Sequence, residues 1–100
     1  MSRSDYPEEA RFNARWAIFR NYDLAAAGRR RAGTPIGWAR SRQLANGTPL
    51  SVRTIIRTYS YLSRARPLAG SGRRPTRASI AYNLWGGDEM LAWTKKVLRK

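Results

Sequence analysis

The sequence predicts an all-α protein, a compact bundle of about five short helices that includes a helix-turn-helix-like pair. Apolar residues recur at the three-to-four-residue spacing of a helix, and no segment alternates apolar and polar residues as a half-buried strand does. Alanine, which favours helix at little entropic cost, occurs 14 times, and glycine or proline separates the periodic segments. Because 100 residues make one domain, we expect a single domain over residues 1–100.

The first helix is predicted over Pro7–Ala27, with two glutamates in its first turn, where acidic side chains suit the helix dipole. The residues predicted to face the core are Phe12, Trp16, Ile18 and Phe19. Residues 1–6 precede this helix and are predicted to be flexible. The segment Gly28–Gly33 encloses three arginines between two glycines, which predicts an exposed basic loop.

The second and third helices form the helix-turn-helix-like pair. Thr34 is predicted to cap the second helix, which runs from Pro35 to Asn46, where an Asn-Gly pair ends it. Ser51 is predicted to cap the third helix, from Val52 to about Ala65. The short turn over residues 47–51 joins the two helices, as in a helix-turn-helix motif. The apolar stripe of the third helix consists of Ile55, Tyr59 and Leu62, widened by Val52 and Ile56.

Two further helices complete the predicted bundle. Residues 66–75 are rich in proline, glycine, serine and arginine, which predicts a basic loop. A fourth helix is predicted over residues 76–85, a pair of glycines ends it, and Asp88 is predicted to cap the fifth helix. The four tryptophans fall mostly on inward-facing positions, whereas Tyr61 lies beside the apolar stripe and is the better candidate for an exposed contact.

The charge of the chain indicates the class of its partner. There are 20 Lys and Arg residues against six Asp and Glu residues, so the formal charge is +14 and the isoelectric point is about 11.6. Between Leu24 and Gly87 the chain carries 12 arginines and no acidic residue. Because an excess of this size repels itself unless a polyanion offsets it, we expect a nucleic acid as partner, duplex DNA in particular.

Helical spacing assigns roles to the arginines. In a helix-turn-helix protein the second helix of the pair enters the major groove, where arginine binds guanine through two hydrogen bonds. The predicted contacts to bases are Ser51, Arg53, Thr54 and Arg57. The full predicted nucleic-acid-binding set is Arg29, Arg30, Arg31, Arg40, Arg42, Ser51, Arg53, Thr54, Arg57, Arg64, Arg73, Arg74 and Arg77. The alternative, in which the pair is an ordinary part of a bundle with a solvated arginine face, stays open at this point.

The composition excludes several classes of chemistry. The chain has no cysteine and no histidine, which excludes disulfides, Cys/His zinc sites and imidazole acid–base catalysis. Asp88 and Glu89 form an acidic pair at a predicted helix start, where such pairs serve as cap and dipole partners. We therefore expect no enzyme activity, no catalytic residues, no metal and no cofactor. Because no long apolar run is present, we also expect no membrane span and an intracellular location.

Several segments resemble a small helical module of tailed-phage and prophage proteins, which occurs alone or attached to phage head proteins. They are Gly37–Gly47, Leu50–Ser51, Thr54–Arg57 and Ile80–Asp88. The resemblance covers about residues 36–94, and the Leu-Trp-Gly-Gly-Asp motif at Leu84–Asp88 is its most specific part. After Leu62 the chain departs from the family, whose members follow that helix with a His-Glu pair and a longer polar loop. The resemblance implies a phage origin and a compact helical unit, and the family has no established biochemical activity.

Together these observations predict a phage-encoded, non-enzymatic DNA-binding protein, with a helix-turn-helix regulator as its most specific form. A homodimer would match paired DNA half-sites. One alternative is a virion protein of the head or its decoration, whose partners are packaged DNA or capsid proteins. Another is a small basic effector that binds an acidic host protein. The expected location is the host cytoplasm, or the phage particle for the virion alternative.

Overall fold

The computed structural model describes residues 2–99 of the chain. Within that range the protein is all-α, as predicted, with five helices and one two-stranded antiparallel sheet. In chain order the elements are β1 (Ser2–Arg3), α1 (Glu8–Ala26), α2 (Pro35–Ala45), β2 (Leu50–Ser51), α3 (Val52–Ala69), α4 (Arg77–Leu84) and α5 (Gly87–Leu98).

Hydroxyl caps fix the starts of three helices. The side chains of Thr34, Ser51 and Thr76 each accept a hydrogen bond from the backbone N–H three residues later, at the first turns of α2, α3 and α4. The predicted caps of α2 and α3 are thereby confirmed. The prediction for the last helix is wrong: Gly86, with φ +107°, stands at the N-cap of α5, and Asp88 lies inside the first turn.

The N-terminal segment is part of the packed structure. Ser2 and Arg3 pair with Ser51 and Leu50 in the two-stranded sheet. Tyr6 is 5% exposed, and its hydroxyl donates to the backbone oxygen of Thr48 at 2.8 Å. Residues 1–6 are predicted to be flexible, but residues 2, 3 and 6 make packed contacts, and Met1 lies outside the described residues. Tyr6 explains the difference, because it combines a large apolar ring with a hydroxyl that finds a partner when buried.

Helix α3 is longer than predicted. It continues through residues 66–69, which the sequence assigned to the basic loop over 66–75. Pro67 lies inside the last turn, and the buried Ala69 anchors that turn to the core. Gly70, with φ +75°, ends the helix and donates its N–H to the carbonyl of Arg66 at 3.0 Å. The loop is therefore limited to residues 70–76.

Helix α1 faces the core with small residues. Ala10, Ala14 and Ala17 are fully buried at helical spacing. By contrast, Phe12 and Phe19 are 47% and 63% exposed, so their predicted inward placement is wrong. Small side chains allow α1 to pack closely against α2, α4 and α5, and a phenylalanine on the same face would keep these helices apart.

The predicted helix-turn-helix-like pair consists of α2 and α3, which are consecutive helices joined by residues 46–51. Each member packs mainly on other elements: α2 lies against α1, and α3 lies against α5 and α4. On α3 the core side chains are Ile55, Thr58 and Leu62, whereas Val52 and Ile56 are about half exposed. The neighbours of the pair therefore hold its orientation.

Candidate nucleic-acid interface

The outer face of α3 presents three of the predicted arginines to solvent. Arg53, Arg57 and Arg64 are all exposed, and their spacing of four and seven residues places them on one side of the helix. Arg64 donates from Nη1 to the hydroxyl of Ser60, which supports its extended position along the helix. Ser51 and Thr54 lie at the start of the same helix, where their hydroxyls bond to each other.

The carboxylates of the protein are used elsewhere. Within residues 2–99 the ion pairs are Arg3–Asp5, Arg11–Glu8, Arg20–Asp23, Arg66–Asp88 and Arg73–Glu9. Arg73 is the one member of the predicted binding set among them. The other arginines of that set carry a charge that no carboxylate of the described chain neutralises by an ion pair.

The loop that contains Arg29, Arg30 and Arg31 is held in a defined shape. Arg77 donates from Nη1 and Nη2 to the carbonyls of Arg30 and Arg31, at 2.6 and 2.7 Å. The buried side chain of Asn21 bonds both the N–H and the carbonyl of Ala32. All three loop arginines remain exposed, so the loop presents three positive charges to solvent in a fixed conformation. Arg77, predicted as a nucleic-acid contact, serves to support it.

Arg40 is buried, although the sequence predicted it as a contact to nucleic acid. Only 7% of the residue is exposed, and its guanidinium lies over Trp85, with 5.2 Å between Cζ and the ring centroid. Nη1 donates to the side-chain oxygen of Gln43, while Nε is buried without a hydrogen-bond partner in the described chain. Burial lowers the pKa of Arg40, and the nearby charge of Arg57 lowers it further. Arg40 therefore lies beneath the surface, whereas Arg42 on the same helix is exposed.

A groove of about 490 Å³ opens between the first turn of α2 and the middle of α3. We call it the Trp85 groove, and its lining consists of Thr34, Ile36, Arg57, Ser60, Tyr61, Arg64 and Trp85. The Tyr61 ring stacks on Trp85 with a centroid distance of 4.4 Å, and Tyr61 is half-buried rather than an open contact. Sequence reasoning missed this groove, because only the fold brings Trp85 beside α3.

Two further arginines of the predicted set lie apart from this surface. Arg73 contacts α1, where its guanidinium lies 4.5 Å from the centroid of the Phe12 ring and bonds the side-chain oxygen of Asn13. Arg74 donates from Nε to the backbone carbonyl of Ser71 in its own loop. In the structure Arg77 contacts the 29–31 loop, and Arg40 lies near Arg57. Arg73 and Arg74 instead bond to α1 and to their own loop.

The Leu84–Asp88 segment forms the corner between α4 and α5. The Asp88 carboxylate accepts hydrogen bonds from the Tyr82 hydroxyl at 2.6 Å, from Arg66 Nε at 2.8 Å and from the Gly72 N–H at 3.0 Å. Burial alone would raise the pKa of Asp88, but these hydrogen bonds and the Arg66 charge outweigh burial and keep the pKa below its ordinary value. The motif that carries the resemblance thus supports a structural corner.

The described part of the chain offers little for other site classes. Groups of three or more acidic side chains placed to hold a metal ion are absent from residues 2–99. Over the same range, no helix has the length and apolarity needed to cross a bilayer. Comparisons with known protein families, with curated proteins and with solved structures find no match.

Proposed function

We propose that this protein binds duplex DNA without catalysing a reaction, through the outer face of α3 and the Arg29–Arg31 loop. One observation carries the proposal: Arg53, Arg57 and Arg64 on α3 and the three loop arginines are exposed, and no carboxylate of the described residues forms an ion pair with these six. Exposed guanidinium groups without a carboxylate partner are the usual protein contacts to DNA phosphates and to guanine.

The rigidity of both elements favours a duplex, whose grooves and phosphates have a regular geometry. The loop is fixed by Arg77 and Asn21, so its cations keep their spacing before a partner arrives. Arg53 and Arg57 lie in the first two turns of α3, the part of a recognition helix that contacts base edges. We therefore assign base contacts to Arg53 and Arg57 and phosphate contacts to the loop.

Salt dependence tests the proposal directly. If about six phosphates are contacted, the logarithm of the association constant should fall with the logarithm of the salt concentration at a slope near −5. Fluorescence anisotropy with labelled duplex, single-stranded DNA and RNA probes provides the measurement. An affinity that does not change with salt, or binding to none of the probes, contradicts the proposal; the second outcome favours an acidic protein partner.

Substitutions on α3 separate base contacts from phosphate contacts. Arg53→Ala and Arg57→Ala should each weaken binding to a preferred sequence by about 1–3 kcal/mol and relax the preference. Arg20→Ala is the matched control, because Arg20 lies on α1 and pairs with Asp23. Equal losses on all sequences would assign both arginines to phosphates.

A second candidate function, a component of the phage particle, is favoured by the outer face of α1. Phe12, Phe19 and Tyr22 are 47%, 63% and 54% exposed on this helix. Exposed aromatic residues grouped in this way are typical of surfaces that contact another protein. Purified phage particles test the candidate, because a virion protein must be present in them at high copy number.

A further inference from the structure

The Trp85 groove combines an apolar floor with a cationic rim. Ile36 is 59% exposed and, with the stacked rings of Tyr61 and Trp85, gives the groove apolar surface. Arg57 and Arg64 line it from α3, and no carboxylate of the described chain lines it. Its volume of about 490 Å³ lies within the range of small-molecule sites.

The positive end of α2 lies at the same place. Thr34, the N-cap of this 11-residue helix, and Ile36 in its first turn both line the groove. The first N–H groups of a helix have no carbonyl partner within the helix, and together with the helix dipole they favour an anion. The Thr34 hydroxyl accepts from the Gly37 N–H, so within residues 2–99 this cap leaves the Ile36 N–H unused.

The buried guanidinium of Arg40 adds positive charge at the ring of Trp85, although Arg40 does not itself line the groove. It contacts the ring of Trp85 and lies close enough to Arg57 for the two charges to oppose each other. Buried charges in proteins are normally paired with an opposite charge, and no carboxylate within residues 2–99 pairs with Arg40. An anion bound at Arg57 would reduce this repulsion.

We propose that the Trp85 groove binds one nucleotide, with its phosphate at Arg57 and Arg64 and its base against Ile36, Tyr61 and Trp85. The apolar floor distinguishes this ligand from a bare phosphate of the duplex backbone, which has nothing to place there. The nucleotide is either free or an unpaired nucleotide at a DNA end. The second source rests on the proposed DNA binding, with Arg57 holding the phosphate of the unpaired nucleotide in place of a base contact, whereas the first source does not.

The test follows the indole N–H signal of Trp85 by NMR during titration of the full chain, with Trp85→Phe used only to assign the signal. Deoxyadenosine 5′-monophosphate should shift the signal in a saturable way. Deoxyadenosine and inorganic phosphate, which each lack one half of the ligand, should bind at least tenfold more weakly. Equal affinity for inorganic phosphate, or equal competition by poly-glutamate, overturns the assignment to a nucleotide.

Two sets of variants locate the site. Arg57→Gln and Arg64→Gln should each weaken mononucleotide binding about tenfold, because each removes a charged hydrogen-bond donor. Ile36→Glu replaces the apolar contact to the base with a carboxylate that repels an anionic ligand, and it should abolish binding, while the acidic side chain suits the first turn of α2. Leu68→Glu adds the same charge at a position that is 82% exposed and outside the groove, and should leave mononucleotide binding unchanged. Equal effects of the two glutamates contradict the proposal.

Blunt duplex DNA and a duplex with a single-stranded overhang distinguish the outcomes. Stronger binding of the overhang, lost in Ile36→Glu, supports an unpaired DNA nucleotide as the ligand. If the mononucleotide does not shift the Trp85 signal while the blunt duplex binds with salt dependence, the groove proposal is wrong and the proposed function stands. If the mononucleotide binds and no duplex does, the proposed function fails and the groove takes a free nucleotide.

Discussion

Gly86 adopts a backbone conformation that other residues rarely take, and it does so in a packed position. Its φ is +107°, and a Cβ there would lie 2.5 Å from Met90 Cβ. We expect Gly86→Ala to lower the free energy of unfolding by about 2–5 kcal/mol, the sum of backbone strain and overpacking. Urea denaturation measures the loss.

Gly28 provides the matched control for that prediction. Its φ is +73°, and a Cβ there would meet nothing within 4 Å. Gly28→Ala should therefore cost only the backbone strain, about 1–2 kcal/mol. Equal losses in the two variants would show that packing against Met90 contributes nothing.

The Asp88 carboxylate joins three parts of the chain, so its charge matters for stability. Asp88→Asn should lower the free energy of unfolding by about 1–3 kcal/mol at neutral pH, because hydrogen bonds to a charged acceptor are lost. Since the folded pKa of Asp88 lies below its unfolded value, the contribution is present above about pH 4 and is lost as the pH falls through the folded pKa. Urea denaturation from pH 7 to pH 2 should show the two proteins converging in acid.

Asp5→Asn is the control, because Asp5 pairs with Arg3 at the surface and its loss should matter less. A difference between Asp88→Asn and the unmodified protein that stays constant down to pH 2 would contradict the assignment to charge.

The caps of α2 and α3 were predictable from the sequence, whereas the burial of Arg40 was not. Thr34 and Ser51 act on N–H groups three residues away, so the local sequence is sufficient to identify them. Arg40 and Arg42 are indistinguishable by residue type, and the approach of Trp85, the residue that follows α4, covers Arg40. The sequence therefore predicts a candidate interface on α3 and the 29–31 loop, but it does not reveal that Arg40 lies beneath the surface.

At the scale of elements, the N-terminal segment is an anchor that local patterns do not reveal. Tyr6 contacts Trp93 edge to face at 5.8 Å and closes the turn between α2 and α3 through Thr48. Tyr6→Ala should lower the free energy of unfolding by about 3–5 kcal/mol, as for other buried aromatic residues. Tyr22→Ala, at a tyrosine that is 54% exposed, should cost about 1 kcal/mol or less by the same denaturation measurement. Equal small losses would indicate a segment that is not docked in solution.

Helix α1 shows why helical periodicity predicted the element but not its orientation. Both the alanines and the phenylalanines recur at helical spacing, and hydrophobicity alone favours the phenylalanines as the buried set. The structure buries Ala10, Ala14 and Ala17 instead, because the helices that surround α1 approach closely. The helices packed against α1 decide which of its two apolar stripes faces inward, and two of these helices, α4 and α5, lie far away in the sequence.

At the scale of the whole molecule, the net charge of +14 is a source of instability. Because most arginines of the candidate interface have no carboxylate partner within residues 2–99, their repulsion should weaken as salt screens it. We expect the melting temperature to rise by about 4–8 °C between 20 and 300 mM NaCl, which corresponds to ~1 kcal/mol for a domain of this size. Circular dichroism at 222 nm measures it. A melting temperature that is constant or falls with NaCl would mean that the folded protein is not under electrostatic strain.

The contacts of Asn13 have a consequence for how the protein is made. Its side-chain amide donates to the carbonyl of Gly86 at 2.8 Å and to Glu89 at 2.7 Å, so the first helix is completed by residues 73 and 76 positions later. A chain growing on the ribosome cannot form these bonds until Glu89 has emerged from the exit tunnel. Until then α2 and α4 can already pack on α1, but its contacts with α5 are missing, so the native state is completed only after Glu89 is free. Completion of the fold therefore depends on contacts between distant parts of the chain as well as on local helix formation.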